Sequence, residues 1–141
     1  MKIEIQETRE MRSRILFISG RFDDARRLSR MLHAIPVAVE YAGSLQQARI
    51  LLQQNQYDAI LTEAELPDGK WLDVLNLARE VPHRTEVIVT EAHADARFWA
   101  EALNLGAYDL LAQPFYEPEV RRILRNACAR RSNLTATMSA V

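Results

Sequence analysis

The sequence predicts an α/β domain of three layers, in which helices cover both faces of a doubly wound parallel sheet of five strands. Its 141 residues are 48% hydrophobic and 26% charged, which is typical of one soluble globular domain. Five short apolar segments alternate with five segments whose apolar residues recur at helical spacing. Parallel neighbouring strands need crossover connections, which helices supply, and right-handed crossovers place helices on both faces.

The first half of the chain is predicted to alternate strands and helices. The run from Ile15 to Ile18 is apolar throughout, as in a strand buried on both faces. Asp23 is placed to cap a helix that Pro36 ends, and Ser44 is placed to open the second helix. The predicted elements are β1 (15–18), α1 (23–35), β2 (37–41), α2 (from residue 44) and β3 (57–63).

Proline and glycine mark the element ends in the second half. Pro67 and Gly69 indicate a loop after β3, Pro82 ends the third helix and Gly106 ends the fourth. The predicted elements are α3 (71–81), β4 (85–90), α4 (95–105), β5 (108–112) and α5 (117–131).

Composition excludes several classes of function. The single Cys128 has no CxxC or Cys/His cluster near it, which excludes structural zinc and dithiol chemistry. No apolar run approaches the roughly 20 residues that span a bilayer, and the N-terminus lacks an apolar signal segment, so we expect a cytoplasmic protein without membrane contact. The net charge of −1 gives no overall attraction to nucleic acid. We expect no cofactor, and divide the chain into a polar leader (1–13), the domain (14–131) and a flexible C-terminal tail (132–141).

The candidate functional residues stand where the predicted strands end. Ligands of open parallel sheets bind beyond the carboxyl ends of the strands, where the strand order reverses. In this chain those exits carry Ser19, Gly20, Glu63, Thr90 and Gln113.

Three segments resemble the receiver domain of bacterial two-component response regulators. YDAILTEAELPDGKWLDVL is similar to the receiver strand that delivers the phosphoacceptor Asp, followed by its Leu-Pro-Asp-Gly loop. NLGAYDLLAQPF is similar to the Gly-Ala turn, fifth strand and Lys-Pro loop, and TEVIVT ends where receivers place a hydroxyl switch residue. The resemblance runs from about Arg14 to Arg131. It implies a flavodoxin-like topology with strand order 2-1-3-4-5 and a signalling role.

The resemblance also implies a set of charged groups that this chain replaces. A receiver phosphorylates an Asp next to Mg²⁺, which that Asp and an acidic pair hold, and a Lys neutralises charge. The acidic pair falls on Ser19 and Gly20, the phosphoacceptor on Glu63 and the Lys on Gln113. We therefore expect no metal site, no conventional Asp phosphorylation and no enzymatic activity.

Four other carboxylates are candidates to replace the missing acids. Asp23 and Asp24 follow β1 where α1 begins, and helix capping is favoured over metal binding for them. Asp58 lies at the entry of its strand, at the wrong end of the sheet, and Asp68 belongs to the loop turn. None of them is expected to rebuild the site.

Glu63 and Thr90 each allow two interpretations. Glu63 either imitates a phosphorylated Asp by bonding to Thr90 or is a solvated carboxylate left at a strand end, and the second is slightly favoured because a phosphoryl group carries about two charges. Thr90 is either a switch or a hydroxyl bonded to neighbouring backbone. Leu110 stands at the aromatic switch position and is expected in the core.

The resemblance implies a partner surface on α4, β5 and α5, through which such domains also dimerise. Phe98 and Trp99 are adjacent on α4, so one of them is expected to be exposed. Arg121, Arg122 and Arg125 lie on a basic last helix, which either docks a partner or is simply solvated.

The function predicted is a receiver-like module of two-component signalling that acts through a protein partner or the output domain of a longer regulator. Two alternatives stay open. The domain is phosphorylated at an unusual site, or it is a nucleic-acid-associated regulator that uses α5, although no helix-turn-helix, zinc or stacking motif supports direct nucleic-acid binding.

Overall fold

The computed structural model describes the backbone of residues 13–140 and the side chains of residues 13–129. Five parallel strands form one sheet, and the predicted strand order 2-1-3-4-5 is confirmed when only the strands of this sheet are numbered. The strands are β1 Ser13–Ile18, β2 Val37–Ala42, β3 Ala59–Glu63, β4 Glu86–Glu91 and β5 Asp109–Ala112. The helices are α1 Phe22–Met31, α2 Leu45–Gln54, α3 Trp71–Glu80, α4 Ala96–Leu105 and α5 Glu117–Ala140.

The sheet separates two apolar clusters, so the three-layer prediction is confirmed. Leu16 and Ile18 face α2, α3 and α4, whereas Ile15 and Phe17 face α1 and α5. All four side chains are fully buried. Because successive residues of a strand point to opposite faces, Ser19 follows Phe17 on the α1 and α5 side.

Local signals set most helix ends as predicted. The Ser44 side chain accepts a hydrogen bond from the Gln47 N–H at 3.2 Å and caps α2. The Asp95 carboxylate does the same for α4 with the Phe98 N–H at 2.9 Å. Gly106 ends α4 at a φ of 121°, a conformation that side chains with a Cβ rarely adopt.

The predicted cap of α1 is wrong. The helix begins at Phe22, Arg21 is the N-cap residue without a side-chain cap, and Asp23 and Asp24 lie in the first turn. There their negative charges still interact favourably with the positive end of the helix dipole. The helix instead starts directly after Arg21, whose N–H is bonded to the Ser19 hydroxyl at 2.9 Å.

Two further boundaries differ from the prediction. The loop after β3 contains a short antiparallel hairpin, Glu65–Leu66 with Gly69–Lys70. The helix α5 continues to Ala140 and so includes most of the predicted flexible tail. No glycine or proline follows Pro118, and alanine, leucine and methionine favour helix. Of the predicted leader, residues 1–12 lie outside the described residues, and Ser13 is already part of β1.

Among residues 13–140, every helix is too short or too polar to cross a lipid bilayer.

The substitution Gly106→Ala should destabilise the domain by about 1–3 kcal/mol, because a side chain at positive φ is strained. A Cβ at this position would also lie 2.6 Å from the Arg79 guanidinium, which donates to the Leu105 carbonyl. Urea unfolding should show a lower midpoint at an unchanged slope. Gly43→Ala is the matched control, since its φ is not positive and its Cβ would meet the end of the flexible Gln47 side chain at 3.3 Å and the Tyr41 side chain at ordinary contact distances of 3.5 and 3.7 Å. Equal midpoints for the two variants would contradict this assignment.

Candidate functional site

The ends of the central strands form a cleft at the carboxyl edge of the sheet. Ile18 pairs with Thr62, and Glu63 pairs with Thr90, so the residues that end β1, β3 and β4 are neighbours. The cleft has a volume of about 410 Å³. Its lining includes four of the predicted site residues, Gly20, Glu63, Thr90 and Gln113. Ser19, the fifth, is fully buried beside it.

A hydrogen bond between β1 and β3 is the central contact of the cleft. The Ser19 hydroxyl donates to Oε1 of Glu63. The same hydroxyl oxygen accepts the Arg21 N–H at 2.9 Å, and the Ser19 carbonyl accepts the Tyr41 hydroxyl at 2.6 Å. These three hydrogen bonds fix the position of Ser19, and its hydroxyl is the donor to Glu63.

The Glu63 carboxyl group is harder to ionise than a solvated one. Burial raises its pKa, the Ser19 hydrogen bond opposes that rise, the charge and hydrogen bond of Asp24 add to it, and Arg21 opposes it. Tyr41 senses the same charges, because burial and then Glu63 and Asp24 raise the pKa of its phenol. Negative charge in the cleft is thus only partly compensated.

Asp24 is a site residue that sequence reasoning placed elsewhere. Its carboxyl group lies within hydrogen-bonding reach of Glu63. Its Oδ2 is buried and has no hydrogen-bond donor among the described residues. Asp23, one residue earlier, is exposed. The first turn of α1 therefore brings a second acid to the end of β3.

The bond between Glu63 and Thr90, which the phosphomimic alternative requires, is not formed. The Thr90 hydroxyl donates to the Leu111 carbonyl at 2.7 Å and is fully buried. This is the backbone-bonded alternative for Thr90. Leu110 is buried in the core, as predicted.

Asp58 and Asp68 do not line the cleft, as predicted. Asp58 accepts the Arg14 N–H at 2.8 Å at the entry edge of the sheet. Asp68 has a further role that the turn motif did not reveal, since it accepts the N–H groups of Leu45 and Gln46 at 2.7 and 3.0 Å. Those two bonds lower its pKa and tie the loop after β3 to the start of α2.

The match to a known family covers most of the chain. The family model of the response regulator receiver domain matches residues 9 to 125. The chain belongs to the response regulator receiver domain family. It is 26% identical to response regulator protein PilR of Pseudomonas aeruginosa over 121 residues, which are 86% of this chain and 27% of PilR. It is 30% identical to transcriptional regulatory protein CitB of Klebsiella pneumoniae over 99 residues, 70% of this chain and 42% of CitB.

Solved receiver structures share the fold. A signal receiver domain from Vibrio parahaemolyticus superposes with a TM-score of 0.83 at 19% identity, over 90% of this chain and 98% of that one. The receiver domain of an HD domain-containing protein from Pseudomonas fluorescens Pf-5 gives 0.77 at 26% identity, over 86% and 98%. The chain spans less than half the length of the curated relatives named above.

The aromatic residues of α4 in this receiver domain are placed differently from the prediction. Phe98 and Trp99 are both half-buried against the core, and the Phe98 ring packs edge-on to Trp71 with centroids 6.5 Å apart. Neither is the exposed aromatic that was expected, because the helix turns both rings partly toward the sheet. On the α4, β5 and α5 side, the exposed apolar side chains are instead Leu103, Leu105 and Tyr116.

Within the part of α5 whose side chains the structure describes, one arginine is bound and two are exposed. Arg121 donates to the Met31 carbonyl at 3.2 Å and to the Glu117 carboxylate at 2.5 Å. It therefore holds α5 against the end of α1. Arg122 and Arg125 are exposed. Arg121 was predicted as a partner residue, but its described bonds are structural.

The substitution Ser19→Ala should cost about 1–2 kcal/mol of unfolding free energy, because the Arg21 N–H and Glu63 each lose a hydrogen-bond partner. It should also raise the pKa of Glu63 further, since the Ser19 bond favours the charged form. Urea unfolding and NMR titration of the Glu63 side chain measure the two effects. Ser29→Ala, on the exposed side of α1, should change neither. An unshifted Glu63 titration in the Ser19 variant would refute the assignment.

Proposed function

We propose that this receiver domain acts in two-component signalling through protein contacts, without conventional Asp phosphorylation in its cleft. One observation carries the proposal. The acid at the end of β3 is Glu63, and its hydrogen-bond partner is the hydroxyl of Ser19. Ser19 stands where the family resemblance implies a metal-binding acid.

The donor groups of the cleft do not suit Mg²⁺. This ion prefers several hard anionic oxygens in octahedral geometry. Among residues 13–129, no group of three or more Asp, Glu, His or Cys side chains is close enough together to hold a metal ion. Glu63 is already bonded to Ser19, and Gly20 offers no side chain. Mg²⁺ therefore has no part in the proposed function.

The cleft also lacks the cation that the resemblance implies after β5. Gln113 stands at that position and is neutral. The basic side chains that line the cleft are Arg21 and His93, from the loops after β1 and β4. Phosphoryl transfer depends on positioning and on stabilisation of the developing charge, and both are weakened here.

The hydrogen bonds do not favour Glu63 as a permanent imitation of a phosphorylated Asp. Such a role would require Glu63 to engage Thr90, whose hydroxyl is bonded to Leu111 instead. Glu63 turns toward Ser19 and Asp24, on the β1 and α1 side of the cleft. One carboxylate also supplies less charge and fewer acceptor oxygens than a phosphoryl group.

The partner surface that we propose is the face formed by α4, β5 and α5. Leu103 and Leu105 at the end of α4 are 47% and 41% exposed, Tyr116 just before α5 is 65% exposed, and Arg122 and Arg125 are exposed on α5. Aromatic residues and arginines are enriched at protein interfaces. The curated relatives are longer than this chain. Contact with a second copy or with an output domain of a longer regulator is therefore the proposed use of this face.

Acetyl phosphate or beryllofluoride, each with saturating Mg²⁺, should change neither the mass nor the melting temperature of the domain. The physical reason is the missing metal ligands and cation. Glu63→Asp alone should behave in the same way. The matched gain-of-function variant is Ser19→Asp, Gly20→Asp, Glu63→Asp and Gln113→Lys combined, which restores each implied charge. A phosphorylated wild-type domain in intact-protein mass spectrometry would refute the proposal.

The double variant Leu103→Glu and Tyr116→Arg should weaken self-association by at least about tenfold, because it places charge on the proposed apolar contact. Analytical ultracentrifugation over a concentration series measures this effect. Ile50→Glu is the control, since Ile50 is equally exposed on α2. Wild-type and double variant that sediment alike as dimers would exclude this face, and a wild-type monomer at all concentrations would exclude the homodimer.

A further inference from the structure

A carboxyl group of the cleft, that of Glu63, meets a second one beside the cleft, that of Asp24, without a described cation between them. Glu63 ends β3 and Asp24 lies in the first turn of α1, on the same side of the sheet. Their side chains are within hydrogen-bonding reach. Two ionised carboxylates at that distance repel each other strongly, and the repulsion grows where the surroundings are partly buried.

Oε2 of Glu63 and Oδ2 of Asp24 are the oxygens through which the two acids can bond to each other. Oε1 of Glu63 is occupied by the Ser19 hydroxyl, which leaves Oε2. Oδ2 of Asp24 is buried without a donor among the described residues. A buried acceptor with no donor is costly in a folded protein, and a proton on Oε2 would remove that cost.

We infer that Glu63 takes up a proton and donates it from Oε2 to Oδ2 of Asp24, so that a proton fastens the start of α1 to the end of β3. The contact is then sensitive to pH. The hydrogen bond forms when Glu63 is protonated, and the two carboxylates repel each other when both acids are ionised. The inference rests on the proposed function in one respect, namely that no Mg²⁺ neutralises the two acids.

The other charged groups around Glu63 do not cancel this effect. Arg21, in the loop after β1, lowers the pKa of Glu63 but ranks behind burial and behind Asp24 as a cause. Tyr41, on β2, is neutral and donates to the Ser19 carbonyl. The remaining charged or titratable side chains that line the cleft are Glu65, Glu91 and His93. None of these three side chains is among the causes of the raised pKa of Glu63.

The sign of the stability effect follows from the raised pKa of Glu63. A carboxyl group that is harder to ionise in the folded state binds more protons there than in the unfolded chain. Its stabilising contribution is therefore complete below its unfolded pKa and is lost as the pH rises through the folded one. This direction is opposite to that of a carboxylate in an ion pair.

The experiment is an NMR titration of the Glu63 side-chain carboxyl carbon in the wild-type chain and two variants, with EDTA present. The wild-type group should titrate above the usual range of a glutamic acid, and Asp24→Asn should move it back toward that range. Asp23→Asn is the matched control. It removes an exposed acid from the same helical turn and should leave Glu63 unchanged. Equal titration of Glu63 in the wild type and in Asp24→Asn would overturn the inference.

A second measurement keeps the test decisive if Asp24→Asn folds poorly. Gln at position 63 can accept the Ser19 bond and donate its amide N–H to Asp24 without any proton uptake. Glu63→Gln should therefore raise the melting temperature by a few degrees at about pH 8 and by less at about pH 5. Glu65→Gln, an exposed acid at the same edge, should not. A Glu63→Gln variant that melts below the wild type at both pH values would contradict the inference.

Repeating the titration with millimolar MgCl₂ separates the two proposals. If Mg²⁺ abolishes a raised Glu63 titration that is present in EDTA, the cleft binds the metal, and the proposed function fails while the proton contact stands. If the raised titration is absent in EDTA as well, the proton contact fails.

Discussion

The adjacency of β1 and β3 is the constraint on which the site depends. Parallel pairing places the end of β3 next to the residue that follows β1, and the burial of both strands leaves Ser19 and Glu63 little room to separate. The hydrogen bond between them is a direct consequence. It directs Glu63 toward α1 and away from β4, so the contact with Thr90 is lost and the contact with Asp24 is gained. The register of β1 against β3 thus decides which side chains Glu63 contacts.

The electrostatic character of the cleft follows from that geometry. An ionised acid at a strand end needs water, a cation or a proton to offset its charge. Partial burial limits its contact with water. The guanidinium of Arg21 supplies some compensation from an exposed loop position, where solvent weakens it. Gln113 supplies no charge on the opposite side. The proton is the remaining means of neutralising Glu63 when Asp24 lies beside it.

Patterns that act locally could be predicted from the sequence. The apolar run of β1, the Ser44 cap and the glycine at the end of α4 depend on a few adjacent residues, and the structure contains each of them. The face to which Ser19 points could not be predicted, because a strand that is apolar on both faces has no alternation to fix it. Because the face of the sheet that Ser19 occupies was unknown, the sequence could not show that Asp24 lies near Glu63. The partial burial of Phe98 and Trp99 depends on tertiary packing and could not be predicted either. The end of α5 was difficult to predict because no glycine or proline marks it.

A proton and a metal ion differ as neutralising groups in ways that bear on signalling. A divalent ion needs several oxygen ligands at fixed distances, whereas a proton needs one donor oxygen and one acceptor oxygen. Replacing the implied acidic pair by Ser19 and Gly20 removes the ligands that a metal requires but leaves the two oxygens that a proton requires. Under the proposed function, the contact between α1 and β3 does not depend on phosphorylation. The proposed proton contact would then make the charge state of the Glu63 and Asp24 pair depend on the pH of the solution.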